Sequence, residues 1–376
     1  MTEAQRDLLA IPMLTESTDI YSGVARASKT LWATRWTAGE SDTVAVFAHP
    51  SSNFMGHYAL RAMAERGVHA VGLTTRYLGN DSAMLLENCL VDLAAAVTHL
   101  RELGYRRIAL VGNSGGGEIA AMYQAQAEHP TIRSAPCGGG PDLTRLTLPG
   151  VDLLVMLNAH IGRAVVLTES LDAAVRDEAD PFDRDASLDA FDERNAPPYA
   201  EEFIARYRAA QRARNDRITD WVEGRLALLA EQGGRITDMP FVVHGTCADL
   251  RMLDLAIEPS DRGPGALWGD VYAANFNPVS LGHHTSLRAW LSQWSLRRGN
   301  GDARRALPDV SVPVLVAYGT ADQGCHPSHA QALFDAVGHD RKRLVALEGA
   351  THYFRDQPAH VARACDLITG WTAEHA

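Results

Sequence analysis

The stretch at residues 107–121, RIALVGNSGGGEIAA, decides the fold. It opens on Ile108-Ala109-Leu110-Val111, an apolar run of the length and composition of a strand buried on both faces. It turns abruptly across Gly112-Asn113-Ser114-Gly115-Gly116-Gly117 and resumes at Glu118 as a helix. Glycines on either side of Ser114 let the backbone cross close to itself where a β-carbon would clash. A serine held in such a turn, in the pattern G-x-S-x-G, lifts its hydroxyl above the edge of a sheet. The five residues alone also fit a glycine-rich turn that carries a serine by chance. The strand before and the helix after favour the functional reading.

Working outward, the same alternation continues. Residues 29–36 and 42–48 read as strands, the second running into His49-Pro50-Ser51-Ser52-Asn53. Residues 58–65 read as a helix stopped by Gly67, and 68–73 as another strand. Residues 85–103 carry helical periodicity at Leu86, Leu90, Leu93, Ala94 and Val97, and Gly104 closes them. Residues 151–159 and 312–318 are core strands, followed by a helix at 329–337, a strand at 343–347 and a last helix at 360–371. Strands and helices joined by short links predict an α/β fold: a mostly parallel central sheet flanked by helices.

Two regions break the pattern. Residues 1–28 show no periodicity and are expected to be a loosely packed lead-in. Residues 162–238 are charged, with helices expected at 201–214 and 218–231 and interruptions at Asp180-Pro181 and Pro197-Pro198. An insertion of this length is too long for an ordinary loop and predicts a largely helical cap. Within the same region, 241–244 read as a strand and 286–294 as a helix. The expected organisation is a lead-in (1–28), a core in two parts (29–161 and 307–376) and a cap insertion (162–306). The CGGGP segment within 135–149 lacks the strand-to-helix context of a phosphate cradle and reads as a loop.

The 376 residues are 46% hydrophobic with a formal net charge of -11, so the chain can bury a large core but has no basic reserve for phosphate backbones. Nucleic acid is not an expected partner. The five cysteines (Cys89, Cys137, Cys247, Cys325, Cys365) are scattered, odd in number and without a C-x-x-C pair, which argues against a disulfide framework. The first residues lack a basic segment leading into an apolar one, and no stretch has the apolar length of a membrane span. The expectation is a cytoplasmic protein without a membrane partner; no oligomeric state follows.

Serine attacks a carbonyl only when a neighbouring base takes its proton, and that base needs a partner to hold its tautomer. Asp322, in GTADQGCHP after the 312–318 strand, and His352, in LEGATHYF after the 343–347 strand, follow Ser114 in the order Ser, acid, His. One helix and one strand separate them, so all three side chains can emerge at one sheet edge. Asp249, after the 241–244 run, is the competing acid, though it lacks that short path to His352. The developing oxyanion needs donors: the Gly115 amide is the first, and Ser51 in the loop after the 42–48 strand is the second, because Pro50 has no N–H. His49 is expected to brace that loop. Asn113, Asp249, Trp268 and His283 are assigned to the pocket or its support. Neither the adjacent His283-His284 nor the Cys325, His326 and His329 cluster has metal-site spacing, so no metal and no cofactor are expected.

These motifs resemble the α/β-hydrolase superfamily. GNSGG (112–116) matches its nucleophile elbow, HPSS (49–52) its oxyanion loop, GTADQ (319–323) its acid loop and ATHYF (350–354) its histidine loop. The likeness covers residues 30–160 and 305–376. It implies an α/β-hydrolase fold with a variable cap, Ser114 as nucleophile, Asp322 as acid, His352 as base, and Gly115 and Ser51 as oxyanion donors. His49-Pro50 departs from the family's usual His-Gly. The resemblance implies hydrolysis of a small or medium-sized, partly apolar carboxylic ester, or of an amide or thioester, through an acyl-enzyme. The GNS-x-GG elbow is also similar to that of carbon–carbon bond hydrolases acting on diketones. A third reading uses the scaffold only to bind a small molecule. Serine at the elbow argues against epoxide and haloalkane hydrolysis, which use aspartate there.

Overall fold

A computed structural model describes residues 3–15, 29–278 and 280–375. In chain order β1 (Gln5–Pro12), β2 (Thr30–Thr37), β3 (Thr43–Ala48), α1 (Leu60–Ala64), β4 (His69–Leu73), α2 (Leu86–Glu102) and β5 (Arg107–Asn113) lead into α3 (Gly116–Glu128) and β6 (Leu153–Leu157). A long insertion follows: α4 (Arg163–Ser170), β7 (Val175–Asp177), β8 (Asp180–Arg184), α5 (Glu201–Glu231), β9 (Pro240–Val242), α6 (Leu250–Leu253), α7 (Val271–Asn275), β10 (His284–Ser286), α8 (Leu287–Ala289) and α9 (Ala303–Ala306). The core resumes with β11 (Val314–Gly319), α10 (Pro327–Ala336), β12 (Lys342–Leu347) and α11 (Pro358–Glu374).

The central sheet has eight strands in the order β1-β2-β4-β3-β5-β6-β11-β12. β1 and β2 are antiparallel to their neighbours, and the remaining pairs are parallel. Alternate residues of each inner strand feed opposite layers, as the two-residue side-chain period requires. Val44, Val46, Ile108, Leu110, Leu154, Met156, Val314 and Val316 pack under α2, α3 and α10. Ala45, Phe47, Ala109, Val111, Leu153, Val155, Leu315 and Ala317 pack against α1 and α11, with Ile368 and Trp371 the large contributors from the last helix. Burial on both faces makes the inner strands continuous apolar runs. This is the α/β-hydrolase fold, with extra helices forming a cap between β6 and β11.

The cap has its own core. Leu167, Leu171, Ile218, Val222, Leu287, Trp290 and Trp294 bury one another, and a second cluster gathers Phe203, Tyr207 and Leu250. The two helices expected at 201–214 and 218–231 are one helix of 31 residues. No glycine or proline interrupts Asn215-Asp216-Arg217. The stripe Phe203, Tyr207, Gln211, Arg214, Ile218, Val222 keeps i+3 and i+4 spacing straight through the join. Its polar members are satisfied by backbone carbonyls and, for Arg214, by an ion pair with Glu178 at 2.6 Å. Arg214 donates to the carbonyls of Asp172 and Gly245 at 3.0 and 3.2 Å, and Gln211 to those of Glu169 and Leu171 at 2.6 and 2.8 Å.

Other expectations are corrected here. The lead-in contains β1, paired along its whole length with β2 from Gln5↔Thr37 to Pro12↔Thr30 and burying Leu9 and Ile11. Residues 1–2 and 16–28 of that lead-in lie outside the described residues. The strand expected at 241–244 within the cap is β9 (Pro240–Val242), and it pairs with β10 in a two-stranded sheet. The helix expected at 286–294 is α8 followed by a π-helical turn over Trp290–Trp294 that buries both indoles. Residues 135–149 are a loop with one 3-10 turn at Leu143–Arg145.

Candidate active site

β5 delivers Ser114 at the C-terminal edge of the sheet, where α3 begins two residues later. Ser114 has φ +56°, the left-handed region that a non-glycine residue enters only when its surroundings hold it there. The hold is visible: its amide donates to the carbonyls of Leu157 and Asn158 at 3.2 and 3.1 Å. The turn is also tight enough to exclude side chains. A Cβ on Gly112 would sit 2.4 Å from the Gly116 carbonyl oxygen, and one on Gly116 would sit 1.9 Å from that of Ala48. From behind, Asn113 Oδ1 accepts from His57 Nε2 at 3.0 Å and from the Tyr58 hydroxyl at 3.3 Å, while its Nδ2 donates to the Leu157 carbonyl at 2.7 Å. Asn113 therefore supports the turn from below.

Two loops converge on that serine. His352, after β12, places Nε2 3.0 Å from Ser114 Oγ, and its Nδ1 lies 2.7 Å from Asp322 Oδ2 after β11. Asp322 Oδ1 accepts the amides of Gly324 and Cys325 at 2.7 and 2.9 Å, which fixes the carboxylate plane. A carboxylate on Nδ1 leaves Nε2 as the free base facing the hydroxyl. Asn158, unmarked in the sequence reading, ties the two loops together. Its Nδ2 donates to the His352 carbonyl at 2.9 Å and its Oδ1 accepts the Gly319 amide at 2.8 Å, from a backbone at φ +43°. Its position just past a core strand is the only signal the sequence offered.

Asp322, Cys325 and His352 also bring potential metal-ligand atoms within 4.8 Å of one another. Their donor capacity is already committed, since both His352 ring nitrogens and both Asp322 oxygens have protein partners. Burial, followed by the Asp322 charge, pushes the Cys325 thiol well above its usual range, so it is not a ready thiolate ligand.

Ser114 opens onto a cavity of about 370 Å³ between sheet edge and cap. Trp268, half exposed, lines it with Val166, Met252, Leu267 and Leu281 on the apolar side. Asp249 also reaches the cavity but is not near His352. It caps α6 and pairs with Arg251 and Arg208, each at 2.6 Å. Burial disfavours its charge, but those two guanidinium groups outweigh that and hold its carboxyl far below the usual range. His283 does not line the cavity; it packs edge-on against His244 and His284. Ser51 lines it, but its amide donates to His49 Nδ1 at 3.1 Å instead of facing Ser114.

The opposite wall is polar, and nothing in the sequence marked two of its members, His160 and Arg163. It holds His160, Arg163, His326 and His329, each more than nine-tenths buried. Arg163 pairs with Asp81 and lies 4.3 Å over the Trp294 ring. Burial first, then nearby cations, pushes His49 and His326 down to about 3 and His160 well below its ordinary value, so these three rings are neutral at neutral pH. For Glu169, burial is outweighed by a hydrogen bond from His329 and by Arg251, which hold its carboxyl at about 2.

Beneath the wall, Glu118 on α3 accepts the Arg163 amide at 3.1 Å through Oε2, while Oε1 has no partner. Burial raises its pKa from 4.5 to about 8. Between those values the folded chain holds a proton that the unfolded chain has released. Its contribution to stability is therefore full below about 4.5 and is lost as pH rises to about 8. Urea midpoints across this range should show Glu118→Gln gaining on the wild type as pH rises, by on the order of a few kcal/mol at the top. A stability difference that stays constant with pH would contradict a buried neutral carboxyl.

Comparison with known proteins agrees with this fold. The model of the serine aminopeptidase S33 family matches residues 280–356, which include the acid and histidine loops. The alpha/beta hydrolase GrgF from Penicillium sp. sh18 superposes with a TM-score of 0.53 at 13% identity, over 99% of each chain. DcsB, solved in complex with its substrate analogue, superposes with a TM-score of 0.52 at 13% identity, over 99% of this chain and 100% of that one. Identities this low show a shared fold. No curated protein sequence matches the chain.

Proposed function

We propose that this chain with the α/β-hydrolase fold is a serine hydrolase that cleaves a small, partly apolar carboxylic ester, with residues 162–306 as its cap. The observation that carries the reading is the line Ser114 Oγ, His352 Nε2, His352 Nδ1, Asp322 Oδ2, with spacings of 3.0 and 2.7 Å, starting from a serine at φ +56° and opening onto the cavity between sheet edge and cap. His352 takes the Ser114 proton as Oγ attacks the carbonyl carbon, and Asp322 stabilises the imidazolium. The Gly115 amide, at the N-cap of α3 where N–H groups lack helical acceptors, donates to the oxyanion. The tetrahedral adduct collapses as the bond to the leaving oxygen breaks, and His352 returns its proton there. Water, deprotonated by the same histidine, then releases the acid from Ser114. The cavity volume sits at the small end for ligand sites. Its mixed lining suits an acyl or alcohol group with one apolar side and one hydrogen-bonding end.

A fluorophosphonate probe should label the protein, and peptide mapping should place the adduct on Ser114. Product analysis on matched panels of esters and vinylogous diketones then separates acyl transfer from carbon–carbon cleavage. Turnover of diketones alone would replace the ester reading, and no labelling together with no turnover on either panel would remove the hydrolytic one.

A further inference from the structure

The oxyanion loop poses a donor problem. Residue 50 is proline and has no N–H. The amides of Ser51 and Ser52 both donate to His49 Nδ1, at 3.1 and 2.9 Å. A ring nitrogen that accepts two amide hydrogens carries no proton, so the proton of this neutral imidazole sits on Nε2. Burial and Arg163 keep the ring neutral. That Nε2–H lies beside the elbow: a Cβ built on Gly115 would stand 3.0 Å from it. His160 Nε2 is 3.3 Å from the same point, but His160 Nδ1 has no partner and nothing sets its tautomer. Glycine at 115 thus leaves open the space beside the His49 ring at the elbow, which a side chain there would crowd.

We propose that the second oxyanion donor is the His49 side chain, whose Nε2–H hydrogen-bonds the developing oxyanion together with the Gly115 amide, while its Nδ1 holds the Ser51–Ser52 backbone. His49 is then a catalytic residue, and the loop amides serve to fix its tautomer. The inference rests on the serine-hydrolase reading above. It also explains how a His-Pro loop works where proline removes a backbone donor.

The two roles of the ring separate by substitution. In His49→Asn the amide oxygen can still accept from the loop near the Nδ1 position, but the Nε2 donor is gone. His49→Gln keeps a donor near Nε2 and loses the Nδ1 acceptor. With p-nitrophenyl acetate, His49→Asn should lower kcat roughly 10²–10³-fold with little change in KM, the loss seen when one oxyanion donor is removed. His49→Gln should retain the larger share of kcat. The reverse ranking, or full kcat in His49→Asn with Ser114 still labelled by the fluorophosphonate, overturns the proposal and leaves His49 as a brace. A kcat loss found in His160→Ala and absent from His49→Asn reassigns the donor to His160. Retained turnover in Ser114→Ala defeats the underlying serine reading instead.

A second measurement covers variants that fold poorly. Phenylboronic acid adds to Ser114 in the wild type, the Oγ–B bond forming as the hydroxyl proton passes to His352, and yields a tetrahedral anion. Imidazole NMR should show the His49 Hε2 resonance moving downfield on adduct formation. An unmoved resonance in a fully formed adduct overturns the proposal.

Discussion

Ser114→Ala should lower kcat by roughly a millionfold, to the residual rate that binding and oxyanion stabilisation sustain without a nucleophile. In the proposed mechanism the hydroxyl is the atom that attacks, so the loss falls on kcat while substrate still enters the cavity and KM stays near its wild-type value. The fold should survive. The Ser114 hydroxyl hydrogen-bonds His352, whereas the turn is held by backbone bonds to Leu157 and Asn158 and by the close passage of Gly112 and Gly116. Circular dichroism and the urea midpoint check this. A variant that is folded yet retains more than about a thousandth of wild-type turnover on the best ester would place the nucleophile elsewhere.

Asp322→Asn should be the next most damaging change, with a kcat loss of about 10⁴-fold. An amide facing His352 Nδ1 can turn its NH₂ toward the ring, which moves the imidazole proton to Nε2 and removes the base from Ser114. Asp249→Asn tests the rival acid and should separate cleanly. Asp249 touches Arg208 and Arg251 and not His352, so its loss takes the counter-charge from Arg208 and leaves Arg251 with Glu169 and Glu258. Stability should fall by about 3–5 kcal/mol, the cost of breaking a buried ion pair from one side. In the fraction that stays folded, kcat should remain within about tenfold of wild type. Equal kcat losses in the two variants would mean that Asp322 is not the orienting acid.

Much of this architecture was readable in one dimension. The inner strands are buried on both faces, so Ile108–Val111 and its counterparts appear as unbroken apolar runs, and α2 shows its stripe because a single face of a helix keeps constant spacing. Ser114, Asp322 and His352 were readable because each follows a strand and because the chemistry prescribes their order. The hidden features have identifiable reasons. β1 is an edge strand whose pairing is supplied by β2, beyond the reach of its own short pattern. The join inside α5 carries Asn, Asp and Arg, which read as a break but sit on a helix whose buried side faces cap backbone.

The functional surprises share one cause. Ser51 was a reasonable donor on position, yet an N–H belongs to whichever acceptor it faces, and His49 Nδ1 faces it. His160, Arg163 and Asn158 are lone polar residues past the end of β6, and nothing near them in sequence marks them. The partners of Arg163 lie on α3 and on the residues ahead of α2, and those of Asn158 at the end of β11 and on the loop after β12.

By itself, the sequence determined the alternation of strands and helices, the glycine-lined elbow around Ser114 and the presence of an acid and a histidine downstream in workable order. These depend on local periodicity and on steric rules that act over a few residues. Tertiary structure alone decided that β6 and β11 stand between the elbow and the histidine strand, so that side chains 238 residues apart meet at 3.0 Å. It also decided which amides are spent, which imidazole nitrogen keeps its proton and which charges find counter-charges. Those outcomes depend on distances and burial set by the whole packed chain, because hydrogen bonds and desolvation act through space and take no account of separation along the sequence.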